Sequence, residues 1–323
     1  MVKLLIDCDT GIDDSIAILF ALKRPDVRVM GLISGCGNTN AYQAADNNLR
    51  LIKLASPDYE VPVAIGANKP IKGEWMGANP NIHGKNGIGE ASLPPSDQKA
   101  IQESGPEFIV RMARENPGEL TLVTLGQMTN LALALDIEPK LPKLFKEVVA
   151  MGGNVKADGN VSPCAEANIA GDPEAADKVL MADFNLTLVG LDVTMKTCIT
   201  KNLMESLDHY IRDENRPIYD YMKSALDFYF RFSRVQDHYI DKCPVHDPLA
   251  VLAAVDPTRF TFRKLRARIE CGGTYSRGMI VTDERAEPME APFTTFCVDV
   301  EGDKAIADIM TTFMDQTYAY ENE

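Results

Sequence analysis

Short apolar runs alternate with segments of helical periodicity along most of this chain. The run at residues 4–6 ends in a turn, and apolar residues at positions 12, 16, 19 and 20 then recur at helical spacing. We predict further strands over residues 27–34, 61–65, 120–125, 147–151, 185–191, 259–271, 279–282 and 294–300. We predict helices over residues 41–55, 106–115, 201–239 and 303–315, and others after the turn at 126–130 and from Pro173.

Strands that alternate with helices in this way predict an α/β fold, with a mostly parallel central sheet flanked by helices on both faces. No repeat, low-complexity tract or clear linker interrupts the pattern, so we expect a single domain over residues 1–323. In such sheets ligands bind beyond the carboxyl ends of the strands. Several polar groups follow predicted strands and can converge there, namely Asn38, Asp192 and the residues after Leu125 and Met151.

Four carboxylates lie close together where the first strand meets the first helix: Asp7, Asp9, Asp13 and Asp14. A single Asp at this place would cap the helix and meet the positive end of its dipole. Four of them would repel one another and raise one another's pKa, unless a cation holds them ionised. Oxygen ligands suit a hard ion such as Ca²⁺ or Mg²⁺ better than zinc. The pattern favours a metal site over the alternative, a capped and solvated turn.

Two segments without periodicity contain further candidates. Residues 66–98 include the only tryptophan, Trp75, and place His83 among glycines. Unstructured loops of this length are usually functional or disordered, so His83 is either an exposed loop residue or a side chain that reaches over a pocket. In residues 154–168, Asn160, Glu166 and Asn168 either bind sugar hydroxyls through paired donors and acceptors or belong to a plain surface loop.

His246, Asp247 and Pro248 follow the predicted long helix. An Asp before a Pro is a good N-cap, so Asp247 also has a purely structural interpretation. Aromatic residues near the end of the long helix, such as Tyr229, form core more often than they form a substrate lid.

Composition indicates which binding partners and which cellular compartment to expect. The chain is 45% hydrophobic and 25% charged, with a formal net charge of -14. Because nucleic-acid binding relies on Lys and Arg to neutralise phosphates, this charge argues against nucleic acid and favours a neutral or cationic small molecule. The seven cysteines are scattered without a CxxC pair, and no apolar run is long enough for a leader or a membrane span. We expect reduced thiols, no membrane contact and a cytoplasmic location.

Together these motifs resemble the inosine-uridine nucleoside hydrolase family. The family's signature, DxDPGxDD, corresponds to residues 7–14, which keep each acidic residue and the glycine. The resemblance covers most of the chain and extends through Gly37-Asn38, His83-Gly84, Leu125-Gly126, Thr129-Asn130, Met151-Gly152-Gly153, Gly159-Asn160, Ala165-Glu166-Ala167-Asn168, Asp172-Pro173-Glu174 and His246-Asp247-Pro248. Thr10 and Gln127 replace usual prolines, which should alter loop stiffness. Ala167 replaces a common phenylalanine, which bears on base preference.

The resemblance implies a ribonucleoside hydrolase of nucleoside salvage or catabolism that uses Ca²⁺. The ligands of the ion would be Asp9, Asp14, Asp247 and the backbone carbonyl of Leu125. Water and ribose hydroxyls would complete the roughly six to eight oxygens that calcium prefers. Asp9 would also take a proton from the water that attacks C1′ of the ribose.

The resemblance also implies the substrate contacts. The side chains that would hold the ribose hydroxyls and favour an oxocarbenium-like transition state are those of Asp13, Asn38, Asn160, Glu166 and Asn168. His246 would protonate the leaving base, and His83 would assist at the base. A histidine at both places resembles the members that handle pyrimidines and inosine, so we expect uridine or inosine as substrate. Family members are commonly homodimers or homotetramers, and we expect a homo-oligomer.

Two other functions stay open at this point. Haloacid-dehalogenase-type phosphatases also begin with an apolar strand and DxD and bind Mg²⁺, but they have Thr or Val where Gly11 stands. The chain also has no convincing later Lys and acidic pair. A catalytically silent nucleoside- or calcium-binding protein on the same fold is the second alternative, although binding alone requires neither the base Asp9 nor the acid His246.

Overall fold

The computed structural model describes residues 1–236 and 238–314. Its strands are β1 (Val2–Cys8), β2 (Val27–Ser34), β3 (Val63–Ile65), β4 (Ile101–Ser104), β5 (Leu120–Thr124), β6 (Glu147–Met151), β7 (Leu186–Val189), β8 (Cys198–Thr200), β9 (Lys242–Pro244), β10 (Phe260–Ile269), β11 (Ile280–Asp283) and β12 (Phe293–Val300). Its helices are α1 (Ile12–Lys23), α2 (Ala41–Ala55), α3 (Pro80–His83), α4 (Gly105–Glu115), α5 (Thr129–Ile137), α6 (Leu141–Leu144), α7 (Ala167–Gly171), α8 (Pro173–Met181), α9 (Leu191–Thr194), α10 (Lys201–Leu207), α11 (Arg216–Gln236), α12 (Asp247–Val255) and α13 (Gly302–Thr311).

A 10-stranded sheet forms the centre, in the order β11-β10-β12-β7-β6-β5-β1-β2-β3-β4. Neighbouring strands from β12 through β1 to β4 are parallel, whereas β10 is antiparallel to both β12 and β11. A second, 2-stranded sheet pairs β8 with β9. The predicted α/β fold with a mostly parallel central sheet is confirmed.

β1 positions the rest of the sheet. Its residues from Leu4 to Cys8 are buried, because β2 and β5 flank the strand and helices cover both faces. In the sheet, β2 lies on one side of β1 and β5 on the other. The chain continues from β1 through β2, β3 and β4 before it returns to form β5. The connections after β1 and β5 therefore diverge and leave a crevice at the carboxyl ends of the strands, which is where α/β sheets bind ligands.

Two helices, α1 and α12, are buried almost throughout and pack against each other. Both are apolar on all sides beyond their first turn, as expected for helices covered by protein. α1 begins directly after β1, and the first turn of α12 lies beside it. The N–H groups at both helix N-termini, which have no partner within their own helix, therefore meet at the crevice.

Most predicted elements are confirmed, and β2, α2 and β6 have the predicted bounds. The strand predicted over 185–191 is wrong at its end, because Gly190 packs against the Gly153 carbonyl and the chain turns into α9. The helix predicted over 201–239 is interrupted, since Ile211 pairs with Met314 between α10 and α11.

Three short strands were not predicted from the sequence. β4, β8 and β9 have only three or four residues, too few for a periodic pattern to be visible. Two positions inside predicted helices, Asp237 and Asp315, lie outside the described residues.

The sequence predicts reduced thiols and no membrane-spanning helix. Each of the seven cysteines is a free thiol, as their scattered spacing predicts, and Cys8, Cys36, Cys243 and Cys297 are buried. Within residues 1–236 and 238–314, no helix combines the length and the apolar character that crossing a bilayer requires.

Asn130 joins the ends of three neighbouring strands at the crevice. Its amide nitrogen donates to Asp7 Oδ1 at 2.8 Å and to the Ser34 carbonyl at 3.2 Å. Its amide oxygen accepts from the Ala67 N–H at 2.8 Å. Because the side chain is buried, its removal would take this partner from the Asp7 carboxylate and the Ala67 N–H, while the Ser34 carbonyl still accepts from the Gly66 N–H at 2.9 Å.

Asn130→Ala should lower the free energy of unfolding by about 1–3 kcal/mol, since buried polar groups lose their partner. Chemical denaturation followed by circular dichroism measures the change. Asn202→Ala, on the exposed surface of α10, is the matched control and should change stability by less than about 0.5 kcal/mol. Equal stability of the two variants would contradict this role for Asn130.

Candidate active site

Three carboxylates meet at the N-termini of α1 and α12. Asp13 and Asp14 lie in the first turn of α1, Asp247 is the first residue of α12, and an oxygen from each lies within 4.8 Å of the others. All three side chains are buried. Asp247 does not have the structural role that was its alternative interpretation, because α12 begins at Asp247 itself and His246 occupies the cap position without a side-chain cap bond.

Burial is the main influence on the charge of this cluster. Loss of solvent raises the pKa of Asp13 and of Asp14 to about 6, and in Asp14 the Asp13 charge adds to the effect. Burial also raises the pKa of Asp247 well above its ordinary value, with the charges of Asp13 and Asp14 as further causes. Backbone N–H groups at the helix starts oppose these shifts only in part.

The cluster fits a hard cation better than a solvated turn. The side chains are 5%, 0% and 3% exposed for Asp13, Asp14 and Asp247, so water does not solvate them. In the part of the chain that the structure describes, Asp14 Oδ1 is buried without a hydrogen-bond partner. An all-oxygen donor set with an unpaired buried oxygen has the chemistry of a divalent-cation site.

Asp9 lies beside this cluster, and Asn38 connects the two. The Asn38 backbone N–H donates to Asp9 Oδ2 at 2.8 Å, and its side-chain amide donates to Asp9 Oδ1 at 3.2 Å and to Asp14 Oδ2 at 3.1 Å. Burial, followed by the Asp14 charge, raises the pKa of Asp9 well above its ordinary value. Of the predicted metal ligands, Asp14 and Asp247 belong to the carboxylate cluster, and Asp9 lies next to it. Asp13, which was predicted to bind the ribose, is the third member of the cluster.

The glycines of the motifs are explained by close approaches. A Cβ on Gly11 would lie 2.6 Å from His83 Nδ1 and 2.7 Å from Asn38 Nδ2. A Cβ on Gly37 would lie 1.7 Å from Asp9 Oδ2. Any side chain at these positions would displace a polar group of the site.

The two predicted histidines are each held by a hydrogen bond. His83, at the end of α3, is buried, and its Nδ1 accepts from the Ile12 N–H at 3.1 Å. Burial, with a smaller effect of His246, lowers the pKa of His83 to about 3. His83 is therefore neutral with its proton on Nε2, and its ring centroid lies 5.9 Å from that of Tyr229. His246 Nδ1 is hydrogen-bonded to Thr194 Oγ1 at 2.8 Å.

The loop after β6 contributes the predicted sugar-binding residues. Asn168 Nδ2 donates to the Leu125 carbonyl at 2.7 Å and to the Met151 carbonyl at 3.1 Å, so this side chain reaches the turn after β5. Glu166 is buried and accepts N–H bonds at both oxygens, as the N-cap of α7 and from Gly153. Asn160 is exposed, and its Oδ1 accepts from the Ala167 N–H at 2.9 Å.

Asp7 and Asp192 are structural. Asp7 accepts a hydrogen bond from the Asn130 amide, and burial raises its pKa to about 7. Asp192 does not converge on the site, because its carboxylate accepts from the N–H groups of residues 155, 156 and 157 and holds the start of their loop.

The departures from the family pattern also have structural contexts. Thr10 is buried and donates to Asn48 Oδ1 at 2.6 Å, a bond that proline could not make. Gln127 packs against Gly171, and a Cβ added to Gly171 would lie 2.4 Å from Gln127 Nε2.

One contact at the site was not predicted. The Trp75 indole Nε1 donates to the Gly37 carbonyl at 3.3 Å. The only sequence signal was a single tryptophan in a long aperiodic loop.

Comparisons with known proteins agree with this geometry. Residues 4–307 match the family described as inosine-uridine preferring nucleoside hydrolase. The chain is 39% identical over 272 residues to Uridine nucleosidase 1 of Arabidopsis thaliana, which covers 84% of this chain and 79% of that protein. The solved structure of the plant nucleoside hydrolase PpNRh1 superposes with a TM-score of 0.91 and 31% identity, covering 97% of this chain and 99% of that chain. The Purine-Preferring Ribonucleoside Hydrolase from Gardnerella vaginalis superposes with a TM-score of 0.89 and 32% identity, over 96% and 98% of the two chains.

These matches cover nearly the whole chain in sequence and in fold. They decide against the phosphatase and against the catalytically silent binding protein. The chain belongs to the inosine-uridine preferring nucleoside hydrolase family and is an enzyme that cleaves the N-glycosidic bond of ribonucleosides.

Proposed function

We propose that this enzyme hydrolyses uridine and related ribonucleosides to free base and ribose, with Asp9 as the base that activates water and one Ca²⁺ at the carboxylate cluster. The observation that carries the proposal is the convergence of four buried carboxylates on one crevice, Asp9, Asp13, Asp14 and Asp247. The similarity to a plant uridine nucleosidase supports uridine as the substrate.

The proposed ion would be held by Asp14, Asp247, Asp9 and the Leu125 carbonyl. Asp13 adds an oxygen within the same 4.8 Å group as Asp14 and Asp247, so it either joins the ligands or holds a ribose hydroxyl. A bound Ca²⁺ would neutralise the carboxylates and orient water and ribose hydroxyls.

Asp9 has the properties of a base. Burial raises the pKa of Asp9 in the metal-free enzyme, and a bound Ca²⁺ would lower it and keep the carboxylate ionised, as a base must be. Both of its oxygens are oriented by hydrogen bonds from Asn38, so the carboxylate can accept a proton without first rearranging. Water deprotonated by Asp9 would attack C1′ of the ribose.

The ribose would be held by Asp13, Asn38, Asn160, Glu166 and Asn168. Asn38 and Asn168 are the best supported of these, because their amides already bond to the Asp9 carboxylate and the Leu125 carbonyl. Hydrogen bonds that the ribose hydroxyls donate to the carboxylate and amide oxygens of this set would strengthen as positive charge develops on the sugar ring in the transition state.

His246 would protonate the base as it leaves. His83 is an unsuitable acid, because Ile12 N–H occupies its Nδ1 and burial keeps it neutral. It would instead donate its Nε2 proton as a hydrogen bond toward the base. The hydrogen bond with Thr194 orients the His246 ring.

Ribose release from uridine, cytidine, inosine, adenosine and guanosine, measured as reducing sugar with and without a calcium chelator, tests the proposal. Asp9→Asn should lower kcat at least about 100-fold, since a general base contributes about 10² to 10⁴. Asp97→Asn is the control, because the Asp97 side chain is 99% exposed. Release that resists the chelator, or an Asp9→Asn enzyme as active as the control, would refute this mechanism.

A leaving-group comparison tests His246. His246→Gln should lower kcat for uridine about 100-fold, but by less than about 10-fold for an aryl riboside whose leaving group needs no proton. The exposed His209 supplies the control His209→Gln. Equal losses on both substrates would assign His246 a role other than acid.

The pH dependence of thermal stability tests the carboxylate cluster. The folded enzyme raises the pKa of Asp13 and Asp14 from 3.8 to about 6, so between these values the folded chain binds protons that the unfolded chain has lost. The stability of the metal-free enzyme must therefore fall as pH rises through this window. The increase in Tm on adding Ca²⁺ should be larger at about pH 7.5 than at about pH 5. Differential scanning calorimetry checks this, and a gain that is larger at the lower pH would contradict it.

A further inference from the structure

The peptide group between Gly37 and Asn38 is hydrogen-bonded at both ends. Its N–H donates to Asp9 Oδ2 at 2.8 Å, and its carbonyl accepts from the Trp75 indole at 3.3 Å. Donation to a peptide carbonyl polarises the group and makes its N–H a better donor. A continuous path of hydrogen bonds thus runs from the loop over residues 66–98 to the Asp9 carboxylate.

This peptide group has little room to move. The Asp9 carboxylate lies where a Cβ of Gly37 would be, at 1.7 Å from it. The next carbonyl along the chain, that of Asn38, accepts from the Asn79 N–H at 3.3 Å. The same loop therefore contacts the peptide group and its neighbour, at Trp75 and again at Asn79.

Trp75 lies in the middle of a short segment with a glycine at each end. Gly73 and Gly77 have φ angles of 91° and 95°, the left-handed region that glycine adopts most easily. A Cβ at either glycine would have no atom within 4 Å, and the Met76 side chain is 80% exposed. The ends of the segment therefore stand clear of the protein, while the half-buried Trp75 contacts the site.

We infer that Trp75 is a positioning residue, which fixes the Gly37–Asn38 peptide group and thereby the orientation of the Asp9 carboxylate. The inference rests on the proposed role of Asp9. Trp75 donates to the backbone carbonyl of the peptide group that bonds to Asp9. The groups proposed to act on the leaving base, His83 and His246, are held instead by the Ile12 N–H and Thr194 Oγ1. Replacement of Trp75 should therefore slow the attack of water, and the decrease in kcat should be the same whichever base leaves.

Two replacements of Trp75 isolate its N–H. Trp75→Phe keeps an aromatic ring and removes the donor. Because Trp75 is the only tryptophan, growth of a tryptophan auxotroph on β-(3-benzothienyl)alanine replaces the N–H by sulfur at this position alone and keeps the shape. Met76→Ala, in the same segment, is the control.

Both replacements should lower kcat about 3- to 10-fold, the effect of losing one neutral hydrogen bond. The loss should be the same for uridine, inosine and an aryl riboside, with KM changed less than about twofold, and Met76→Ala should match the wild type. An unchanged kcat, or a loss confined to KM or to one base, would overturn the inference. Asp9→Asn is measured in the same series. An active Asp9→Asn enzyme would reject Asp9 as the base, whereas an inactive one together with unchanged Trp75 variants would reject only the positioning role of Trp75.

Discussion

The burial of several carboxylates at the meeting point of two helices is the constraint on which this structure depends. Oxygens of Asp13, Asp14 and Asp247 lie within 4.8 Å of one another, and all three side chains are buried. Such a group is costly when ionised, and the helix N-termini compensate for only part of that cost. The fold tolerates it because a cation can supply the missing positive charge, which ties the stability of this region to its function.

The surrounding features follow from this constraint. α1 and α12 are buried on all sides, because both must pass through the core to bring their N-termini together beneath the crevice. Gly11 and Gly37 are glycines because His83, Asn38 and the Asp9 carboxylate occupy the space of a side chain. Asn38 in turn bridges Asp9 and Asp14, so the proposed base and the proposed cation site are held in one arrangement.

The layered fold and the Asp residues around the start of α1 could be predicted from local patterns in the sequence. Asp247 was expected at the same site only from the family resemblance. Buried parallel strands such as β6 are continuous apolar runs, and four Asp residues near one strand end would repel one another without a cation. The neutral state of His83 could not be predicted, because it depends on the burial of the side chain in the folded protein. Its hydrogen bond with the Ile12 N–H also joins residues 71 positions apart in the chain. The contact of Trp75 could not be predicted either, because its acceptor is a backbone carbonyl, that of Gly37, which no side-chain pattern in the sequence indicates. Asp192 also follows a strand, yet its carboxylate is used by the neighbouring loop.

Calorimetric titration of the metal-free enzyme with Ca²⁺ tests most directly whether the buried carboxylates form a cation site. We predict a single site in each chain, with binding lost in Asp14→Asn and in Asp247→Asn and retained in the surface variant Asp97→Asn. Absence of binding in the wild type, or binding that both cluster variants leave unchanged, would contradict a cation site at these carboxylates.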